Sequence, residues 1–148
     1  MNENKIRVNL QMGILKPIYD VFEAIVDPEK MSKYFISKSS GRMESGKTLK
    51  WEWEDFDAEL EIEVQKIEKD KLVSFKWDGS GVECNVSISL EKLDTSHTAV
   101  KITEEEWNAD YDGAKKCMGQ VEGWTHFLCC LKAFLEYDIN LRVGGVIK

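Results

Sequence analysis

Gly123-Trp124-Thr125-His126-Phe127-Leu128 is the stretch on which the fold turns. It lies inside a helical pattern running from Asp112 to about Glu136. At 3.6 residues per turn, Cys117, Val121, Trp124, Leu128, Leu131 and Leu135 fall on one stripe, with Phe127 and Phe134 beside it. A helix of that length reaches roughly 37 Å, enough to cross a whole small sheet. Upstream of it, apolar and polar residues alternate in segment after segment. A sheet curled around one long helix leaves a space between them that can hold a small apolar molecule.

The alternation begins with Ile6, Val8, Leu10, Met12 and Ile14, a half-buried first strand. Pro17 then opens a helix with Ile18, Val21, Phe22 and Ile25 on its apolar face. Asp27-Pro28 ends that helix, and Pro28 opens a second short one through Met31, Tyr34 and Phe35. Strands resume with Leu49, Trp51 and Trp53 on one face. Ala58, Leu60, Ile62 and Val64 follow, with Glu59, Glu61 and Glu63 opposite them. Val73, Phe75 and Trp77 form the next row, and Asp78-Gly79-Ser80-Gly81 supplies a turn. Val82, Cys84, Val86, Ile88 and Leu90 come after it, and Val100 and Ile102 begin the last strand. Short turns between consecutive strands predict an antiparallel meander, so the class is α+β.

The 148 residues are read as a single domain spanning 1–148. A net charge of −7 argues against nucleic acid, whose phosphates need clustered Lys and Arg. No apolar run approaches the roughly 18 residues of a membrane span, so membrane insertion is not expected. The N-terminus lacks the charged-then-apolar layout of a secretory signal, and a cytoplasmic location is expected. Cys84, Cys117, Cys129 and Cys130 have no metal-type spacing and read as reduced thiols. No cofactor motif stands out.

Three segments carry a resemblance. They are Pro17 to Ile25 behind the opening strand, Asp27 to Phe35, and Gly123 to Leu128 with Leu131-Lys132 and Phe134-Leu135-Glu136 behind it. Together they resemble the helix-grip, START-like (SRPBCC) superfamily, and within it the proteins similar to the activator of heat-shock-protein-90 ATPase. The resemblance spans almost the whole chain. It implies a curved antiparallel sheet of six to seven strands wrapped around the C-terminal helix, with two short helices after the first strand. It also implies a cavity between sheet and helix, because members of the superfamily bind lipids, hormones or polyketides, and some are cyclases or hydrolases. The second domain of the eukaryotic activator has no counterpart here, so a chaperone partner is not expected.

The candidate cavity residues are Trp51, Trp53, Phe75, Trp77, Cys117, Val121 and Trp124, with Gln120 and Glu104 as orienting polar groups. The aromatic set can line a pocket for a ring-bearing or acyl ligand, or fill the interior solidly. Continuing the inward row of Val100 and Ile102 puts Glu104 and Glu106 in the cavity; a strand that ends or bulges near Thr103 puts them at a wet rim. Gln120 lies near the apolar stripe, suited to ligand recognition or to bonding a strand end. His126 falls almost opposite Trp124, facing water beside Glu122, while His97 sits by a turn. Neither has a partner at metal spacing, and no nucleophile has a base in its row.

These observations lead to a domain that binds a small hydrophobic molecule or lipid, with no catalytic or metal-ligating residues assigned. One alternative is a cyclase- or hydrolase-like enzyme using Glu104 or Glu106 as base. The other is a protein-interaction or chaperone-regulating domain, docking on a chaperone or on another copy of itself through the acidic row Glu59, Glu61, Glu63 or the segment 43–57. The C-terminal Val143, Val146 and Ile147 could pair between chains, giving a homodimer, or fray.

Overall fold

The computed structural model describes residues 4–147. Its elements are β1 (Lys5–Ile14), α1 (Ile18–Val26), α2 (Pro28–Met31), β2 (Lys38–Ser39), β3 (Thr48–Trp53), β4 (Ala58–Glu68), β5 (Leu72–Trp77), β6 (Cys84–Asp94), β7 (His97–Asn108) and α3 (Tyr111–Tyr137). The seven strands form one sheet in the order β1-β7-β6-β5-β4-β3-β2, antiparallel at every pairing. The period-2 rows predict this antiparallel meander, and the resemblance implies the curved helix-grip sheet, which is found with α3 packed across β1 and β7.

Local chemistry sets the boundaries. Pro17 occupies the N-cap of α1, and the Asp27 carboxylate accepts from the Glu29 amide to start α2 behind Pro28. Asp110 caps α3 by accepting from the Gly113 amide at 2.8 Å. Gly113 itself is obligatory, since a Cβ there would lie 1.8 Å from the Asn108 carbonyl oxygen. At its far end α3 stops at Asp138, in the left-handed region at φ 55°, with its amide bonded to Phe134 and that of Ile139 to Ala133. That reversal sends residues 139–147 back along the helix.

The interior is filled by the inward rows. Val8, Ile62, Val73, Phe75, Val86, Ile88, Val100 and Ile102 from the sheet meet Trp124, Phe127, Leu128 and Leu131 from α3, all buried. Val82, placed in the β6 row by pattern alone, is instead exposed in the turn before Cys84. The outward row Glu59, Glu61 and Glu63 is exposed, and Lys50 and Lys76 sit across the ladder from Glu61 and Glu63. Lys50 also reaches Glu59 at 3.5 Å. Charges of both signs therefore share this face.

The end of β7 departs from simple alternation. Its pairing with β1 slips between Ile6 and Arg7, which face Trp107 and Glu105 respectively. Glu106 is the extra residue of a β-bulge. Glu104 therefore faces inward, fully buried, but Glu106 is turned to solvent and Trp107 takes the next buried position. Each of the two readings holds in part: the inward row continues through Glu104, and a bulge, two to three residues beyond Thr103, leaves Glu106 at the wet side.

Candidate functional site

Glu104 is a carboxylate with no solvent exposure, set among aromatic rings. Burying it is costly unless hydrogen-bond donors replace water. Three do. Its Oε1 accepts from Trp124 Nε1 at 2.7 Å and from Gln120 Nε2 at 2.8 Å, and its Oε2 accepts from Trp77 Nε1 at 2.8 Å. The cluster joins β7, β5 and two successive turns of α3 through one side chain. Nearby thiols feel it. Burial first, and then the Glu104 charge, push the Cys84 thiol up to about 11 and raise that of Cys117 as well.

The outer sides of the same rings face a cleft of about 580 Å³, open to solvent, between the N-terminal half of α3 and the β3–β5 end of the sheet. This volume suits a small organic ligand. Trp53, Leu60 and Trp77 form its sheet wall, and Gln120, Gly123 and Trp124 its helix wall. Phe35 and Phe56 close one side. Trp53 and Phe56 stack at 5.8 Å and 26°, while Trp77 and Trp124 lie 5.4 Å apart and tilted by 38°. Gly79 lies so close to Trp77 that an added Cβ would come within 2.9 Å of the indole. No side chain crowds Gly123, where a Cβ would meet nothing within 4 Å.

The mouth is crossed by the returning C-terminal segment. Arg142 Nε donates to Asp55 Oδ2 at 2.8 Å, and its guanidinium lies 5.9 Å from the Phe35 ring centre and 5.6 Å from that of Phe56. Gly145, Val146 and Ile147 border the cleft beyond it. Ile147 remains 94 % exposed and Val143 is exposed too, whereas Val146 is half-buried.

The nine cavity candidates divide into two shells. Trp53, Trp77, Gln120 and Trp124 border the cleft. Trp51, Phe75, Cys117 and Glu104 are buried behind it, and Val121 is half-buried against the core. Trp51 contacts Phe35, Trp53, Phe75 and Trp77 ring to ring, so the interior between sheet and helix is solid there. The aromatic set thus fills the inside and lines the outside at once. His126 corrects its expectation of facing water: the returning tail half-buries it, and it borders the cleft beside Glu122, 3.4 Å from Cys130 Sγ.

Sequence reasoning missed Phe35 and Phe56 as cleft walls, Arg142 as the residue that ties the returning C-terminal segment to Asp55, and Trp107. The Trp107 indole is buried and donates to Ser80 Oγ at 3.0 Å. A Trp one residue off the inward row was the available signal for the bulge. Among the described residues, no group of His, Cys, Asp or Glu side chains is arranged to hold a metal ion, and no helix is long and apolar enough to cross a membrane.

Comparison with known proteins bears on the same architecture. Protein SSP2350 from Staphylococcus saprophyticus is 36 % identical, with 93 % of this chain and 96 % of that one covered at a TM-score of 0.81. The Aha1 dimer from Colwellia psychrerythraea is 24 % identical, covering 89 % and 97 % at 0.75. DynU16, from the dynemicin biosynthetic locus, is 24 % identical at 0.76; 93 % of this chain covers 49 % of that one, so the present chain spans about half of DynU16. The last two share the fold. No curated protein sequence matches. The family described as activator of Hsp90 ATPase homolog 1-like protein matches residues 16–136, from the turn before α1 to the last turn of α3. The chain belongs to that family.

Proposed function

We propose that this START-like domain binds a small hydrophobic molecule in the cleft between its sheet and α3. The observation that carries this reading is a solvent-open space of about 580 Å³ walled by Trp53, Trp77, Trp124, Phe35 and Phe56. Phe56 is 43 % exposed while the other four rings show the cleft only narrow strips, and covering this surface with an apolar ligand returns roughly 25 cal/mol for each Å² removed from solvent. Gln120, His126 and Glu122 at the border supply the few polar groups that orient a ligand. The four free thiols suit a reducing, cytoplasmic setting.

Glu104 supports binding over acid–base chemistry. Its oxygens are taken by three donors behind the cleft wall, out of reach of a substrate, and Glu106 points away from the interior. A general base must come within hydrogen-bond reach of the proton it removes.

Titration with the uncharged probe N-phenyl-1-naphthylamine, followed by its fluorescence and by native mass spectrometry, tests the reading. One probe per chain is expected, and Gly123→Trp, which places a ring in the open part of the cleft, abolishes binding. Undiminished binding in that variant removes the cleft from consideration.

A further inference from the structure

We infer that the cleft selects a flat aromatic ligand carrying a hydroxyl or N–H donor, and that Glu104 is the positioning residue that imposes this choice through Gln120. The inference rests on the cleft being the binding site.

The reasoning starts from the polarity of the donors. An indole N–H donates and cannot accept, so Trp77 and Trp124 hold Glu104 as an acceptor on both of its oxygens. The Gln120 amide must then turn its nitrogen toward Glu104, and it does so at 2.8 Å. An amide so fixed presents its carbonyl oxygen on the other side. Gln120 is half-buried at the cleft border, so this oxygen is the acceptor offered to a bound molecule. The carboxylate is completely buried, which keeps water from competing for the amide nitrogen.

The walls define the rest of the ligand. Trp77 and Trp124, whose edges are pinned by Glu104, cannot swing away, and both border the cleft together with Gln120 although most of each ring is buried. A flat ring system fits against these fixed borders and can stack on Phe56, the most exposed of the five wall rings. A ligand with a donor at its edge satisfies the Gln120 oxygen, whereas one with a bare acceptor there leaves two acceptors face to face. Sites built to hydrogen-bond a substrate group discriminate chiefly by the penalty of leaving their own polar atoms unpaired.

Three probes built on one naphthalene ring separate the possibilities at neutral pH, where the naphthol is uncharged. They are 2-naphthol, which donates, 2-methoxynaphthalene, which does not, and 2-acetylnaphthalene, which presents a strong acceptor. Calorimetry or Trp fluorescence quenching on the intact chain is expected to give a preference of about three- to tenfold for the naphthol over the ether, the worth of one net hydrogen bond. The ketone should bind no better than the ether. Gln120→Met is expected to bring the ratio of naphthol to ether affinity down to about one, a change in ratio that general loosening of the fold does not produce. Equal affinity for naphthol and ether, an unchanged ratio in Gln120→Met, or a preference for the ketone overturns the inference while leaving the cleft as a binding site. Failure of all three probes to bind, with the chain folded by circular dichroism, overturns the binding reading itself.

Discussion

Trp124 Nε1 lies 2.7 Å from Glu104 Oε1, so the longest helix is bolted to the sheet by a charged hydrogen bond sealed from water. Such bonds are about twice as strong as neutral ones, and removing one partner strands the others. Glu104→Gln keeps the volume but swaps one acceptor oxygen for an amide nitrogen that must confront a donor. The expected loss is about 2–4 kcal/mol of unfolding free energy. Urea denaturation checks it, and a change below about 0.5 kcal/mol, the scale of an ordinary surface substitution, contradicts it.

Two glycines on the same helix should respond in opposite senses. Gly113→Ala forces a methyl into the Asn108 carbonyl and is expected to cost about 2 kcal/mol or more. Gly119 is exposed with open space around it, and Gly119→Ala should gain roughly 0.5–1 kcal/mol from helix propensity. Thermal melts of the two variants, run side by side, settle the sign of each.

The far end of α3 predicts an acid dependence. Burial tends to raise the Glu136 carboxyl, but the Leu15 amide at 2.8 Å and Lys132 at 2.6 Å outweigh it and hold it below the ordinary carboxylate range. A carboxyl depressed in the folded state stabilises fully above its unfolded value, and that contribution disappears as pH falls through the folded one. Stability carried by Glu136 should therefore decline below about pH 4.3, the ordinary glutamate value. Stability measured against pH should fall less steeply in this acid range for Glu136→Gln than for the parent. Parallel curves would rule out the linkage.

Thiol reactivity offers a fourth check. Cys84, Cys117 and Cys130 are buried, and burial raises all three thiols. With Cys84 pushed up to about 11, only about one in a thousand is thiolate at pH 8. Cys129 alone is half-buried. Ellman's reagent is expected to titrate one thiol quickly in the native chain and all four after unfolding. Fast loss of more than one thiol would mean that the core opens readily.

The fold was legible because its rows are long and regular. Val73, Phe75 and Trp77, or Ala58 to Val64, can be buried on only one face, and the α3 stripe had a single sheet to meet. Glu104 was legible for the same reason, as the next inward position after Ile102. What escaped was set by contacts distant in sequence. Arg142 meets Asp55 across 87 positions, and nothing in either neighbourhood announces the other. The reversal at Asp138 that half-buries His126 depends on one left-handed residue that is not glycine. Phe56, in the turn between β3 and β4, reads as an ordinary exposed loop residue until Trp53 is seen beside it.

The bulge at Glu106 gives β7 a spare residue. Excising an interior position before Glu104 would invert the stretch between it and the bulge, exchanging greasy side chains for charged ones. Losing one glutamate of the run Glu104-Glu105-Glu106, which leaves the same sequence whichever is removed, would carry Trp107 into regular step with a glutamate at position 104, both still turned inward. That run of glutamates is where β7 can shorten by a single residue without being turned inside out.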